Sequence, residues 1–382
     1  MTLSLPRRLL AHAGLAALSL GLIAASSLVA AAAPKAEQRV LLVLSSQGQP
    51  EDKGKLGYDF HEFALAAEVL KANGLAFDIA SPKGGAVLGE QADESAAVRA
   101  QADPALMARL QATLPIANLK SGDYAAAVVI GGKGPMFDLH SNQALQHLLG
   151  RIHDQGGVLG AVCHGPAALL NVKLANGSSL LQGRRVTGFS NAEDRRFSKG
   201  LLERFPFMLE DALRERGARY ESRGLMLPLV VRDERLITGQ NPLATPTMVE
   251  AVLEALGRKP APREPGVEEA TLELIELHLA GNPAGARAAL AARPARYQPI
   301  LMGGYGHLLS ETETSPERLA IAVSLLRHAQ ESMPTHAGVN TALARTLVKV
   351  GQKAEAIALL KAFLDKQPSS PRARQLLTEL EA

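Results

Sequence analysis

One stretch, residues 156–170 (GGVLGAVCHGPAALL), limits the possible folds most, because it joins a buried strand to an abrupt turn. The apolar run from Val158 to Val162 is typical of a strand covered on both faces. It ends at Cys163, the chain's only cysteine, and Pro166 follows at a place typical of the first turn of a helix. A nucleophile at such a turn is exposed at the carboxyl edge of the sheet. The stretch therefore predicts an α/β fold that carries a reactive thiol.

The helix expected after Cys163 bears on the chemistry of the thiol. The partial positive charge and free N–H groups of a helix amino terminus stabilise a thiolate and lower its pKa by roughly one to several units. The alternative is an inert buried cysteine, which is the commoner state of a lone cysteine. The turn residues on both sides of Cys163 favour the reactive thiol.

The first part of the chain reads as a βαβ unit. Residues 39–46 (RVLLVLSS) predict a buried strand, a helical apolar stripe follows until Gly74, and residues 76–80 (AFDIA) predict a second strand. Such units form a parallel sheet with helices on both faces. Glu62 falls in the first turns of the helix, at the edge where these sheets place their sites. The alternative for Glu62 is a solvated glutamate on the helix surface.

A glycine pair follows the next predicted strand, in residues 123–139 (DYAAAVVIGGKGPMFDL). The N–H groups of Gly131 and Gly132 could face a developing oxyanion, since glycine allows close backbone approach. Most glycine pairs are ordinary turns, and the GGKG spacing does not fit a phosphate-binding loop. A helix is expected over residues 142–155 before the chain reaches the cysteine turn.

These segments together resemble the ThiJ/PfpI superfamily within the class I glutamine amidotransferase-like fold. The Cys-His-Gly-Pro form of the turn is similar to its chaperone and glyoxalase III branch, and the resemblance covers about residues 39–257. We therefore expect an α/β domain of residues 36–257. It implies a flavodoxin-like doubly wound parallel sheet with a nucleophile elbow, and a lid in residues 86–120. Relatives are commonly dimers, so a homodimer is one arrangement that the resemblance implies.

The resemblance also implies roles for individual residues. Glu62 corresponds to the glutamate that contacts the nucleophile, and His164 to the partner of Cys163, although spacing alone leaves open whether His164 reaches the sulfur. In the segment after residue 184, Glu193 is the candidate to orient His164 and Asp194 is the second choice. The alternative is an acidic cluster that stabilises a helix start.

Further positions follow from the same resemblance. The loop of Gly131 and Gly132, together with the N–H of His164, corresponds to the oxyanion hole. Gln240 and Asn241 are expected to border the pocket without a chemical step. Neither a metal nor an organic cofactor is expected.

The last third of the chain predicts a different architecture. A proline-rich, charged linker at residues 258–266 is followed by residues 267–382, in which strand signals vanish. A shift of 34 residues superposes apolar and proline positions, which resembles tetratricopeptide repeats, and residues 267–293 supply a candidate third helix pair. The pairs are Leu309 and Leu343, Ala322 and Ala356, Leu326 and Leu360, and Pro334 and Pro368. The repeats indicate a surface for a protein or peptide partner, or a purely structural cap.

Residues 1–31 predict a secretory signal peptide. Arg7 and Arg8 form a charged start, residues 9–29 an apolar stretch, and residues 30–33 offer small cleavage-site residues. The sequence thus predicts export, with the bacterial periplasm as the destination, and an uncleaved anchor is the alternative. The net charge of +3 and the absence of tryptophan give no argument for a nucleic-acid partner.

Three functions are compatible with these residues. The leading hypothesis is a cysteine enzyme of glyoxalase III or deglycase type that acts on reactive carbonyls such as methylglyoxal. The second is hydrolysis of amides or peptides by the same nucleophile. The third is an exported stress chaperone or redox sensor that binds protein clients through its helical repeats.

Overall fold

The computed structural model describes residues 38–52, 55–90 and 95–382. The predicted signal peptide, residues 1–31, and the first two residues of the predicted α/β domain, 36 and 37, lie outside these ranges.

A seven-stranded sheet forms the centre of the α/β region. Its order is β3-β2-β1-β4-β5-β9-β8, and all neighbours are parallel except the antiparallel pair β8 and β9, while β6 and β7 pair separately. The strands are β1 (Val40–Val43), β2 (Phe77–Ser81), β3 (Leu114–Pro115), β4 (Ala126–Val129), β5 (Val158–Val162), β6 (Arg185–Val186), β7 (Arg219–Tyr220), β8 (Val230–Asp233) and β9 (Leu236–Gly239).

Helices cover both faces of this sheet, which confirms the predicted doubly wound fold. Alternate strand residues face opposite sides: Leu42 and Val128 pack with α1, α2, α3 and α7, whereas Leu41 and Ala127 pack with α4 and α6. Each fully buried valine or leucine contributes about 1.5–3 kcal/mol to this core. The helices are α1 (Phe60–Ala72), α2 (Ser95–Gln101), α3 (Pro104–Leu110), α4 (Gln143–Asp154), α5 (Asn191–Phe197), α6 (Leu209–Glu215) and α7 (Thr245–Ala255).

The strand order places a crevice at the carboxyl edge. From β1 the chain first goes to β2 on one side, and it later comes back to β4 on the other side. Ligands of such sheets bind where the order reverses in this way. The segments after β1, β4 and β5 carry Glu62, Gly131 and Cys163, so the topology brings these three residues to one edge.

The remaining part of the chain is helical, as predicted. Its helices are α8 (Val267–Leu279), α9 (Pro283–Ala292), α10 (Pro299–Thr312), α11 (Pro316–Ser332), α12 (Ala337–Lys349), α13 (Lys353–Lys366) and α14 (Pro371–Glu381). The apolar residues matched by the 34-residue shift are buried in α10 to α13. In the described part of the chain, no helix combines the length and apolar character needed to cross a membrane.

The segment between the two regions is held by specific contacts. The Arg263 guanidinium contacts Glu250 of α7 at 2.7 Å and Glu269 of α8 at 2.5 Å. The N–H of Ala261 donates to the side chain of Asn73 at 2.7 Å. These contacts restrict the orientation in which α8 leaves the α/β region.

One histidine in the helical core is buried without a hydrogen-bond partner. His278 of α8 is fully buried, and neither of its ring nitrogens contacts a polar atom among the described residues. Its ring lies 5.7 Å from the ring of His328. Burial, together with the nearby His328 and Arg287, lowers the pKa of His278 to about 4. Folding therefore favours the neutral imidazole.

We expect acid to destabilise the helical region through His278. In the unfolded chain His278 has a pKa of about 6.5, so above this pH it is neutral in both the folded and the unfolded protein. As pH falls from 6.5 to about 4, only the unfolded protein gains a proton at this residue. The free energy of unfolding should fall by up to about 3 kcal/mol across this window. Urea unfolding followed by circular dichroism measures the loss. His278→Leu should remove most of this loss, whereas His147→Leu, at an exposed position, should leave it unchanged. An equal pH dependence of stability in the two variants would show that the loss does not come from His278.

Candidate functional site

The backbone at Cys163 forms the predicted nucleophile elbow. Cys163 has a φ of 58°, in the left-handed region that non-glycine residues rarely adopt. Its N–H donates to the carbonyl of Gly239 at 2.9 Å, and its own carbonyl accepts from the N–H of Phe189 at 2.8 Å. Both contacts hold the strained turn in place from neighbouring segments.

The turn also requires a residue without a side chain. A Cβ added at Gly165 would lie 2.5 Å from the carbonyl oxygen of Val129. The helix that follows is a five-residue 3₁₀ helix, Gly165–Leu169, rather than an α-helix. Because few peptide dipoles are aligned in it, its amino terminus carries less positive charge than a long α-helix would.

His164 reaches the sulfur, which the sequence left open. Its Nδ1 lies 3.4 Å from Cys163 Sγ, and its Nε2 lies 3.1 Å from Asp194 Oδ1. A carboxylate can only accept, so Nε2 carries the proton and Nδ1 is free to accept the thiol proton. The rings of Phe189 and Phe205 contact the imidazole with centroids 4.7 and 5.8 Å away. Cys163, His164 and Asp194 thus form a buried relay.

The prediction that Glu193 orients His164 is wrong. Glu193 is the third residue of α5, and its carboxylate turns back to accept from the N–H and hydroxyl of Ser190, which forms a capping box. Asp194, the second choice, contacts the imidazole instead, because the next position on a helix points about 100° away. The pattern Ser-x-x-Glu at the helix start was the signal that could have separated the two residues.

Asp194 is itself held in place. It is fully buried, and the hydroxyl of Ser198 donates to the same oxygen that contacts His164, at 2.8 Å. This second hydrogen bond comes from the residue that directly follows α5, so one short helix and its carboxyl end orient the carboxylate.

Glu62 approaches the thiol from the other side of the site. Its N–H donates to Asp59 at the start of α1, and its Oε2 accepts from the N–H of Gly131 at 2.7 Å. Glu62 is fully buried, and burial followed by the charge of Asp59 raises its pKa well above the usual value. Its carboxyl group lies beside the Cys163 thiol, which acts against the rise in the pKa of Glu62.

The thiol pKa is shifted in the direction opposite to that expected from the sequence. Burial raises the pKa of Cys163 well above its usual value, and the charges of Glu62 and Asp59 raise it further, while the N–H of Gly132 acts in the opposite sense. The short 3₁₀ helix does not offset these effects. Since burial disfavours the ionisation of both groups and the charge of Glu62 further disfavours that of the thiol, the pair retains a proton to high pH.

Only one of the two predicted glycine donors is available for an oxyanion. The N–H of Gly131 is used by Glu62, and a Cβ there would lie 2.6 Å from that of Cys163. The N–H of Gly132, whose φ is 82°, faces the sulfur. The N–H of His164 has no acceptor among the described residues. Gly132 and His164 are therefore the candidate oxyanion donors, and Gly131 is a positioning residue.

A charged pair that no sequence motif indicated lies beside the site. Lys133 follows Gly132 directly, and its Nζ contacts Glu90 Oε2 at 2.9 Å. Glu90 belongs to the insertion that was predicted as a lid. Its contact with Lys133 shows that this insertion reaches the loop that carries the oxyanion donor.

Comparison with known proteins gives two family matches. Residues 56–255 match the model of the DJ-1/PfpI family, and residues 316–380 match a tetratricopeptide repeat model.

Several relatives are named as glyoxalases. A glutathione-independent glyoxalase of Schizosaccharomyces pombe is 28% identical over 233 residues, which cover 57% of this chain and 96% of the relative. A probable glutathione-independent glyoxalase of the same organism is 31% identical over 142 residues, or 36% of this chain and 64% of the relative, less than two thirds of its length.

Two solved structures each match a little more than half of the chain. Glyoxalase III of Candida albicans is 25% identical with a TM-score of 0.53, and covers 57% of this chain and 97% of its own. The Rapid Encystment Protein 24 KDa of Francisella tularensis is 30% identical with a TM-score of 0.53, and covers 57% and 99%.

The substitution Glu62→Gln tests the electrostatic coupling at the thiol. At low pH Glu62 is protonated, so this neutral variant and the wild type should react with iodoacetamide at similar rates. As pH rises through the raised pKa of Glu62, its new charge should slow the wild type, and the variant should become about tenfold faster by comparison.

The control is Glu68→Gln, on the exposed side of the same helix, which should react like the wild type at every pH. A rate ratio between Glu62→Gln and wild type that is already high and constant from pH 5 upward would mean that Glu62 ionises normally.

Proposed function

The chain belongs to the DJ-1/PfpI family, and we propose that it is a cofactor-independent cysteine enzyme that converts 2-oxoaldehydes such as methylglyoxal to 2-hydroxy acids. The observation that carries the proposal is the position of Cys163 between His164 Nδ1, at 3.4 Å, and the buried carboxyl of Glu62. One neighbour can accept a proton while the other donates one. The relatives named as glyoxalases support the same reaction class.

The first step forms a covalent bond to the substrate. His164 Nδ1 takes the proton of the Cys163 thiol, and the sulfur adds to the aldehyde carbon. The resulting oxyanion is stabilised by the N–H groups of Gly132 and His164 and then takes the proton back from His164. The product is a neutral hemithioacetal, and both proton carriers are in their starting states.

The second step moves hydrogen between adjacent carbons. His164 removes the proton from the former aldehyde carbon while the Glu62 acid protonates the ketone oxygen, which gives an enediol. His164 then returns a proton to the second carbon, and the Glu62 carboxylate takes the proton of the first hydroxyl. The first carbon is oxidised to a thioester and the second is reduced to an alcohol, so no external redox partner is needed.

The last step releases the product. His164 activates a water molecule that attacks the thioester, and the sulfur leaves and is protonated again. Overall, one 2-oxoaldehyde and one water give one 2-hydroxy acid. Asp194 stabilises the imidazolium that forms in each step.

Substitution of the nucleophile tests this function. The protein should convert methylglyoxal to lactate without glutathione, and Cys163→Ser should reduce turnover at least about 1000-fold, because serine is a much weaker nucleophile here. Lactate is measured by nuclear magnetic resonance. Turnover retained in Cys163→Ser would contradict the mechanism. No turnover in the wild type, with the thiol shown to be reduced, would contradict the function and favour hydrolysis of amides or client binding.

We further propose that the protein is exported to the periplasm of its host. The support is the order of charged, apolar and small residues within residues 1–33. When the full chain is expressed in a bacterium, the periplasmic fraction should contain a protein that begins near residue 32. A cytoplasmic protein with the mass of the full chain would contradict export, and an uncut protein in the membrane fraction would indicate an anchor instead.

The tetratricopeptide-like region offers a candidate surface for a protein partner. A groove of about 480 Å³ lies between α10, α12 and α14, and its lining includes Ile300, Val339, Arg345 and Arg372. We propose this groove as the place where a peptide would bind; one of its lining residues, Glu311, also contacts Arg196 of the α/β region.

A further inference from the structure

Glu193 does not contact His164, yet its carboxylate is among the most heavily bonded groups near the site. It is fully buried, and its Oε2 accepts from the N–H and hydroxyl of Ser190 at 2.9 and 2.8 Å. Its Oε1 accepts at 3.0 Å from the N–H of Met226 and from the side-chain amides of Gln240 and Asn241. All five groups donate to the two oxygens, which matches a carboxylate because both of its oxygens can accept several hydrogen bonds.

These hydrogen bonds join three separate segments. Ser190 caps α5, Gln240 and Asn241 follow β9, and Met226 belongs to the segment of residues 223–228, which we call the docking segment. Met226 has a φ of 56°, a strained conformation for a residue with a side chain. The amide of Asn241 also donates to the carbonyl of Leu227 at 2.9 Å. The docking segment therefore takes its shape largely from Glu193 and its amide partners.

The helical region packs on this docking segment. Leu227 is buried in an apolar cluster with Leu272 and Ile275 of α8 and Tyr305 of α10. The guanidinium of Arg223 contacts the carboxylate of Glu276 in α8 at 2.9 Å.

A second contact of the helical region reaches α5 itself. Arg196, two residues after Asp194, contacts Glu311 of α10 at 2.7 Å. The helical region thus contacts both the docking segment and the helix that orients His164, and Glu193 lies between them.

We propose that Glu193 is a positioning residue that couples the docked helical region to the orientation of His164. The carboxylate fixes the start of α5 against the docking segment, and α5 presents Asp194 to the imidazole. The inference deepens the proposed function and rests on it, since the relay is the one assigned to the reaction. It gives the helical region a role in the catalytic site, independent of any partner it binds.

The substitution Glu193→Gln replaces one of the two accepting oxygens with an NH₂ group and hardly changes the size of the side chain. Whichever way the new amide points, its NH₂ group faces two or three donors and leaves them without an acceptor. The docking segment and α5 should then separate slightly, and Asp194 should lose its alignment with His164 Nε2.

The experiment measures the rate of Cys163 alkylation by iodoacetamide in the full chain. Glu193→Gln should lower the rate at pH 7 about tenfold, because a poorly oriented His164 accepts the thiol proton less well. For methylglyoxal, kcat should fall by a similar factor while KM changes less than about twofold. The matched control Glu210→Gln, whose carboxylate contacts Asn191 at the start of α5 but not the docking segment, should stay close to wild type.

A double-mutant cycle with Asp194→Asn separates this role from a merely structural one. If Glu193 acts through Asp194, then Glu193→Gln should add less than about twofold to the effect of Asp194→Asn on alkylation. If the rate reduction in the double variant equals the product of the two single reductions, Glu193 acts on the thiol independently of Asp194, and the proposal is overturned. Wild-type alkylation in Glu193→Gln would overturn it as well.

A charge exchange tests the contribution of the helical region and does not depend on a buried substitution. Arg223→Glu places two carboxylates together and should slow alkylation about twofold to threefold, and Glu276→Arg in the same chain should restore it. No slowing in Arg223→Glu, or no restoration in the exchanged pair, would overturn the coupling. Because alkylation needs no turnover, these results stand apart from failure of the proposed function itself, which would appear as a wild type without lactate formation.

Discussion

The site depends on the contact between two buried acids, the carboxyl of Glu62 and the thiol of Cys163. Burial raises the pKa of both groups, and the charge of Glu62 raises that of Cys163 further, whereas the thiol acts to lower the pKa of Glu62. Backbone hydrogen bonds hold the two buried groups together: the N–H of Gly131 donates to Glu62, and Gly239 and Phe189 hold the strained elbow at Cys163. A pair that retains a proton close to an imidazole can donate and accept in turn, and the isomerisation that we propose for a 2-oxoaldehyde requires both.

The relay extends from this pair toward the helical region. His164 is oriented by Asp194, Asp194 by the short helix α5, and α5 by Glu193 and Arg196. Sites held by rigid neighbouring elements keep their geometry to within fractions of an ångström, and proton transfer needs such accuracy. The docked helices thereby extend the structural support of the site beyond the α/β region.

Some of this arrangement could be predicted from the sequence, because it is encoded locally. The elbow depends on one strand, one cysteine and the adjacent glycine and proline, and the repeats on a period of 34 residues. The identity of the carboxylate that contacts His164 was predicted wrongly, since Glu193 and Asp194 differ by one helical step, although the capping pattern from Ser190 was available. The role of Gly131 depends on a contact with Glu62, 69 residues away. The direction of the thiol pKa depends on burial, which no local motif encodes.

The protonation state of Glu62 at neutral pH tests this account most directly. The infrared difference spectrum between the wild type and Glu62→Gln, recorded with and without deuterated solvent, would show the carbonyl band of a protonated carboxyl group. We predict that this band is present at pH 7 and is lost only as pH rises. A spectrum with carboxylate bands alone at pH 7 would contradict the shared proton and the acid role of Glu62 that follows from it.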